Sequence, residues 1–373
     1  MKFTAGIVSA LLASAVTAAS PYKKIFIEND GCTGLNILFP LLGDIEIVGM
    51  SGSMGSYSRV DAVGSCSTLL ADLNMTSCIP LYAGAEHPLL FNKNTFKVWE
   101  TLYGPLVWEG AFTAGYEDSY TWDEINYDDT TFAAVELIKA VKAAPHEVLV
   151  YAAGTMTTVA QALTIWPEMP KYTRGLTIMG GYLDGQIAQA TGGNMTSDLF
   201  SDINLIQDPE AAQMVLTADW PELIIGANVT NTIYPTTELF ERIVEKVGGI
   251  ENVRTNPDLK AVLAFVGENA TAPDASTNLP LWDEIVSAYT AYPDLIKSEI
   301  KIKLAVDTSI ASPFYGNIRV WSEELAPKHG VKTGTARWIT DIDRERIENM
   351  IVDVYTKNWN EYCKVGGPLD FDL

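Results

Sequence analysis

The chain has 373 residues, of which 47% are hydrophobic and 10% aromatic, and its formal net charge is −22. This content supplies a large core, and no low-complexity tract or long Pro/Ser linker divides the chain, so we expect one domain. The negative charge repels phosphate backbones and anionic membranes, which argues against a nucleic-acid polymer or a membrane as partner. A small neutral ligand carries no such penalty.

The N-terminus has the pattern of a secretory signal. Met1 and Lys2 precede an apolar run over residues 3–16, and small residues follow over 17–20. We therefore expect a signal peptide over 1–19 and one domain over 20–373, with the mature chain beginning near Pro21 and carrying a charge of −23 because Lys2 is lost. No later apolar stretch reaches about eighteen residues, so we expect a soluble, extracellular protein.

The sequons and the cysteines are consistent with a secreted protein. Four sequons predict a glycoprotein, and they begin at Asn74, Asn194, Asn228 and Asn269. Four cysteines allow three pairings if export oxidises them. We favour Cys66 with Cys78, across a short loop, and Cys32 with Cys363; four unpaired thiols are expected only if the signal peptide is absent.

The first predicted strand carries two acidic residues at its end. Residues 25–27 are apolar, and Glu28, Asp30 and Gly31 follow before a helix that includes residues 37–42. Ligand sites of open α/β sheets lie beyond the carboxyl ends of the strands, so Glu28 and Asp30 would be delivered to such a site. The alternative is that Asp30 only caps the following helix.

Strands and helices then alternate up to residue 84. Residues 45–50 and 79–84 read as parallel strands, with a small-residue loop after the first and a helix over 60–73 between them. The pattern breaks down over residues 91–131, where ten Trp, Tyr and Phe residues accompany many carboxylates. We expect this segment to be a long insertion or lid.

The alternation resumes at residue 132. Helices are predicted over 132–144, 157–166 and 282–292, from 208 onward and in the first part of 257–275, with strands over 147–153, 176–181, 223–227 and 300–306. The last of these strands should be antiparallel and at an edge of the sheet. The predicted fold is α/β, a doubly wound and mostly parallel sheet of about seven or more strands with helices on both faces.

Seven segments between residues 28 and 283 carry recognisable motifs. They are Glu28–Leu35, Val48–Ser56, Tyr82–Pro88, Gly154–Thr158, Ile178–Gly181, Asp202–Ala211 and Pro280–Asp283. In this order they resemble the motifs of the inosine-uridine-preferring nucleoside hydrolase family. The first segment stands where that family has Asp-x-Asp-Pro-Gly-x-Asp-Asp, and Ile178-Met179-Gly180-Gly181 is unaltered.

The resemblance implies an enzyme that hydrolyses the N-glycosidic bond of ribonucleosides to ribose and free base, with Ca²⁺ bound and water activated by the metal. Asp30 would ligate the metal and accept a proton from the attacking water, while the Thr157 backbone carbonyl and Asp283 would be further ligands. Asn204, Asp202 and Asn194 would hold the ribose hydroxyls. Calcium prefers hard oxygen ligands, and anionic side chains stabilise the positive charge of an oxocarbenium-like sugar.

This chain departs from the family's metal motif. Gly34 and Leu35 replace two consecutive carboxylates, one of which clamps the metal in the family, and calcium affinity falls with ligand charge. Asn36 would supply a neutral oxygen if the loop has slipped by one residue. Glu28 replaces a shorter Asp.

The base-binding side differs as well. Trp282 and Trp108 stand where histidine would protonate the leaving base, and His87, His146 and His329 lie elsewhere in the sequence. Trp282 and Trp108 could stack a purine; for Trp108, packing within the lid is the equal alternative. Ser56 replaces an asparagine that contacts the sugar.

Three functions follow from these observations. The first is an exported nucleoside hydrolase of relaxed or purine preference, and the resemblance also implies a homo-oligomer. The second is a non-catalytic ligand-binding or interaction protein with a degenerate metal site. The third is a hydrolase of another N-glycoside, with the lid over 91–131 setting the substrate.

Overall fold

The computed structural model describes residues 20–106, 109–182, 202–272, 279–367 and 369–370. The expected signal peptide, Trp108 and Asn194 lie outside these ranges. Within them, no helix has the length and apolarity needed to cross a membrane.

A nine-stranded sheet forms the centre of the chain, in the order β3-β2-β1-β4-β5-β6-β9-β7-β8. Neighbours from β3 to β9 pair in parallel, whereas β7 is antiparallel to β9 and β8. The strands are β1 Lys24–Asn29, β2 Glu46–Gly52, β3 Leu81–Ala83, β4 Val148–Ala153, β5 Gly175–Ile178, β6 Leu223–Ile225, β7 Ile296–Val306, β8 Ile318–Trp321 and β9 Gly334–Ile342, with a separate hairpin pair β10 Lys357–Asn358 and β11 Leu369–Asp370. The predicted mostly parallel α/β fold is confirmed.

Helices cover both faces of this sheet. They are α1 Gly34–Leu42, α2 Arg59–Asp72, α3 Lys93–Tyr103, α4 Ala133–Ala143, α5 Thr157–Ile165, α6 Ile203–Ile206, α7 Pro209–Leu216, α8 Ala227–Thr230, α9 Thr237–Lys246, α10 Ile250–Thr255, α11 Lys260–Val266, α12 Trp282–Ala291, α13 Arg344–Tyr355 and α14 Tyr362–Val365. Alternate residues of β1 serve opposite cores: Ile25 and Ile27 pack with α1 and α12, and Phe26 packs with α4 and α5. Successive strand side chains point to opposite faces, which explains the continuous apolar run.

The last predicted strand is only partly right. Residues 300–306 belong to β7, which is antiparallel as expected, but β8 and β9 follow it in the chain. The expectation of an edge position is wrong, because β7 lies between β9 and β8. β9 was missed because polar residues such as Arg337 and Asp341 interrupt its apolar pattern.

The segment over 91–131 is more regular than predicted at its start. Asn92 caps α3 with its side chain, and Phe96 and Trp99 on that helix are buried. They form a small core with Phe91, Phe112 and seven other buried or partly buried neighbours across the chain. The aromatic residues here build a packed helix, so the expectation of irregular structure is wrong for Lys93–Tyr103; a lid role stays a prediction.

The favoured cysteine pairing is wrong. The disulfides join Cys32 to Cys66 and Cys78 to Cys363, with Cα–Cα distances of 4.9 and 5.6 Å. Cys66 is buried on α2 and faces the loop after β1, which carries Cys32. Cys78 follows that helix beside the C-terminal segment, where the Asn74 amide donates to the Asn360 carbonyl. The orientation of α2, rather than the sequence separation of the cysteines, determines the pairing.

Candidate active site

Loops that follow neighbouring parallel strands meet at the carboxyl edge of the sheet. Asn29 of β1 lies level with Gly52 of β2 and Ala153 of β4, so the residues that follow these strands are neighbours. Residues that follow β1, β2 and β5, together with the start of α12, surround a cavity of about 250 Å³. Its lining residues are Asp30, Gly31, Thr33, Ser56, Tyr57, Met179, Tyr182, Asp202, Ile203, Asn204, Leu279, Pro280, Trp282, Asp283 and Glu284.

Asp30 is held rigidly in this cavity. It is 5% exposed, and its Oδ2 accepts a hydrogen bond of 2.6 Å from the Ser56 backbone N–H. A Cβ at Gly55 would lie 2.1 Å from that oxygen, so the loop needs glycine there. Burial raises the pKa of Asp30 to about 6, although the Ser56 hydrogen bonds oppose the shift. A carboxyl with this pKa can accept a proton near neutral pH.

Asp283 lies beside Asp30 in the first turn of α12. Its Oδ2 accepts from the Asn29 amide at 3.2 Å and, more weakly, from the Asn36 amide at 3.5 Å. The Asp283 backbone carbonyl accepts from the Tyr151 hydroxyl at 2.9 Å. Burial, followed by the charges of Glu284 and Asp30, raises the pKa of Asp283 well above its usual range.

Asp202 and Asn204 form the second polar group. The Gly181 N–H donates to Asp202 Oδ2 at 2.6 Å, and the Asn204 N–H donates to Asp202 Oδ1 at 3.0 Å. The Asn204 amide donates to the Met179 carbonyl at 3.1 Å. Burial raises the pKa of Asp202 to about 7. Gly181 follows β5, and β4 separates β5 from β1, so this group lies across β4 from the loop that carries Asp30.

The other predicted site residues have different placements. Ser56 and Trp282 line the cavity with the residues above, and the Trp282 indole N–H donates to Asn231 Oδ1 at 2.7 Å. Thr157 does not line it; this side chain is buried, and its hydroxyl donates to Asp208 Oδ2 at 2.7 Å. A metal contact through the Thr157 carbonyl stays a prediction. Asn194 and Trp108 fall outside the described residues.

Several lining residues were missed from the sequence. Tyr57 and Leu279 are 45% and 36% exposed, and Tyr182 adds a third apolar wall residue. Thr33 and Glu284 were also missed. Each is adjacent or close to a recognised motif residue, which was the available signal. The described lining contains no histidine, and the side chain of His87 is 81% exposed at another cavity.

The donors at this corner fit a hard cation. Asp30 and Asp283 supply carboxylates, and the buried Asn36 Oδ1 has no hydrogen-bond partner among the described residues. Both oxygens of buried Glu28 also lack one there, and burial raises the pKa of Glu28 to about 7. Oxygen donors of this kind are those that Ca²⁺ prefers. The described residues nevertheless contain no group of three or more His, Cys, Asp or Glu side chains placed to hold a metal.

Comparisons with known proteins agree with this architecture. The sequence profile of the family described as "Inosine-uridine preferring nucleoside hydrolase" matches residues 25–349. A solved plant nucleoside hydrolase, PpNRh1, superimposes with a TM-score of 0.65 and 18% identity, covering 90% of this chain and 99% of that one.

Two relatives in sequence match this chain, and they differ in identity and in how much of the chain they cover. The "Uncharacterized protein C800.11" of Schizosaccharomyces pombe is 43% identical over 350 residues, which are 94% of this chain and 89% of the relative. The "Pyrimidine-specific ribonucleoside hydrolase RihB" of Escherichia coli is 24% identical over 238 residues, 64% of this chain and 67% of the relative.

Proposed function

We propose that this chain, which belongs to the inosine-uridine preferring nucleoside hydrolase family, hydrolyses the N-glycosidic bond of ribonucleosides and releases ribose and the free base. The observation that carries the proposal is the convergence of Asp30 and Asp283 with Asp202 and Asn204 in one cavity. These are the residue types that a cationic sugar transition state requires around it.

Asp30 is the proposed general base. Its carboxylate accepts a proton from water as the water oxygen bonds to C1′ of the sugar. The bond between C1′ and the base nitrogen breaks at the same time, and its electron pair leaves with the base, which takes up a proton from solvent. The Ser56 N–H fixes the orientation of the accepting carboxylate.

The sugar is held by Asp202 and Asn204 in this proposal. Backbone donors immobilise the Asp202 carboxylate, so little conformational freedom is lost when sugar hydroxyls bind to it. The negative charge of the cavity stabilises the positive charge that develops on the sugar ring.

Asp30, Asp283 and Asn36 are the residues we propose for holding Ca²⁺, with Thr157 as the predicted backbone ligand. A bound Ca²⁺ would make water easier to deprotonate. It would also compensate the two carboxylates, whose pKa values are raised by burial when no cation is present.

The base stacks on the aromatic wall in this proposal. Tyr57, Tyr182 and Trp282 line the cavity, and the hydrogen bond to Asn231 orients the indole ring. Because no histidine accompanies them in the described lining, base departure depends on stacking and solvent protonation. This favours relaxed or purine preference.

A nucleoside screen tests the function directly. We expect purified protein to release reducing sugar from inosine or another ribonucleoside in Ca²⁺, and to stop when the metal is chelated. Release of base from none of the common purine and pyrimidine ribonucleosides would contradict the proposal.

One observation favours a second candidate, a non-catalytic ligand-binding protein. Amide N–H groups of Asn29 and Asn36 point at Asp283, and the described residues contain no group of three acidic, His or Cys side chains placed for a metal. This candidate predicts nucleoside or sugar binding without Ca²⁺ and without turnover, which calorimetry on the same preparation would reveal.

We also propose that the protein is exported. The two disulfides and the signal-like start of the sequence support this, and the sequon residues Asn74 and Asn269 are exposed. Protein recovered from the medium should begin near Pro21 and lose mass on treatment with a glycosidase that removes N-glycans. Retention inside the cell with an intact N-terminus would contradict export.

A further inference from the structure

We propose that Glu284 is a substrate-binding residue, and that its carboxylate receives hydrogen bonds from the ribose hydroxyls. The inference rests on the proposed function, since it assumes that the cavity takes a ribose.

Glu284 lies in the wall of the cavity, one residue after Asp283. Only 9% of it is exposed, although it is a glutamate on a helix end. Acidic side chains are rarely so buried unless they have a partner. The chain therefore places a poorly hydrated carboxylate where a bound sugar would meet it.

Thr33 completes a pair with Glu284. Its hydroxyl oxygen is buried and has no hydrogen-bond partner in the described part of the chain, although Thr33 lines the cavity. The Thr33 hydroxyl faces the Glu284 carboxyl without meeting hydrogen-bond geometry, and this interaction opposes the rise in pKa that burial causes at Glu284. A sugar hydroxyl between them would accept from Thr33 and donate to Glu284, which satisfies both groups.

The test uses methyl β-D-ribofuranoside, which presents ribose as a furanose with no base to release. Calorimetry in Ca²⁺ should show that Glu284→Gln weakens its binding by roughly tenfold to a hundredfold, because a hydrogen bond to a charged acceptor becomes one to a neutral amide. Wild-type protein should also prefer this probe to its 2-deoxy or 3-deoxy analogue, and the preference should shrink in the variant.

Glu238→Gln is the matched control. Glu238 lies in the first turn of α9, as Glu284 does in α12, but it is exposed and lines no part of the cavity. Any loss caused only by removing an acidic residue from a helix N-terminus should appear in both variants. We expect the control to bind the probe as the wild type does.

Three results would overturn the proposal. They are an absence of probe binding by wild-type protein, equal binding by Glu284→Gln, and a parallel loss of Ca²⁺ affinity in Glu284→Gln, which would make Glu284 a metal ligand. A wild-type protein that binds the probe through Glu284 but hydrolyses no nucleoside would contradict the proposed function and leave this inference standing.

Discussion

The cavity has two sides that differ in construction. The acidic floor, which we define as Asp30, Asp202 and Asp283, is fixed by backbone N–H and amide donors at the ends of strands and on a helix. The aromatic rim, defined as Tyr57, Tyr182 and Trp282, includes one ring that is 45% exposed. The floor is built for fixed charge and the rim for apolar contact, so we expect chemistry to depend on the first and base selection on the second.

The largest expected effect is on the floor. Asp30→Asn should reduce kcat by about a thousandfold, because general-base catalysis contributes roughly two to four orders of magnitude and the amide cannot accept the proton. Ribose release from inosine measures it. Asp219→Asn, an exposed control, should retain wild-type activity. Substantial activity in Asp30→Asn would remove this residue from the base role.

Removing each disulfide in turn should distinguish effects on the acidic floor from effects on the stability of the whole fold. Cys32 lies two residues after Asp30, whereas neither Cys78 nor Cys363 is adjacent in sequence to a residue that lines the cavity. Replacing either pair with serine should lower the free energy of unfolding by about 2–5 kcal/mol.

Only the Cys32–Cys66 replacement should also weaken Ca²⁺ binding, because it frees the loop that carries Asp30. Denaturant unfolding and metal titration on both double variants make the comparison. Equal metal affinity in both would show that the loop holds its shape without the disulfide.

The free energy of unfolding should depend on pH through the buried carboxyl of Asp208. Burial raises the pKa of Asp208 to about 6 in the folded chain, against hydrogen bonds from Thr157, Leu89 and Ala211. Protonation of Asp208 therefore stabilises the folded chain. This stabilisation is complete below the unfolded pKa near 4, and up to about 3 kcal/mol of it is lost as pH rises through about 6.

In Ca²⁺-free buffer, Asp208→Asn should consequently lose less stability between pH 4 and pH 7 than the wild type. Urea midpoints at several pH values test this. Identical pH slopes in the two proteins would contradict the assigned pKa.

The smallest expected effect is on the rim. Trp282→Ala should raise KM by about tenfold, since base–aromatic stacking is worth roughly 1–3 kcal/mol per base. Trp282→Phe, which keeps a ring, should fall in between, and Ca²⁺ affinity should stay unchanged in both. A fall in kcat equal to that of Asp30→Asn would erase the distinction between floor and rim.

The sequence predicted the floor better than the rim for a physical reason. Asp30 and Asp202 stand at strand and helix ends, where short-range patterns and motif spacing fix their place. Tyr57 and Tyr182 stand next to the motif residues Ser56 and Gly181 but belong to no motif themselves, and they line the cavity only because separate loops fold toward each other. Glu284 was missed for the same reason, since it follows Asp283 in the sequence but only the fold shows that it is buried in the wall of the cavity.

The fold shows the same division. Strands with buried apolar runs, such as β1 and β4, were predicted. In contrast, β9 was missed because polar residues interrupt its apolar pattern, although it lies between β6 and β7 in the sheet. The disulfides were mispaired because the orientation of α2, which no spacing rule contains, decides which cysteine faces the loop after β1.

Calcium titration calorimetry on the wild type and on Asp30→Ala tests the central claim, that the altered floor still forms a metal site. We predict one Ca²⁺ bound per wild-type chain and loss of that binding in the variant. No binding by either protein, or equal binding by both, would contradict the account and direct attention to the non-catalytic candidate.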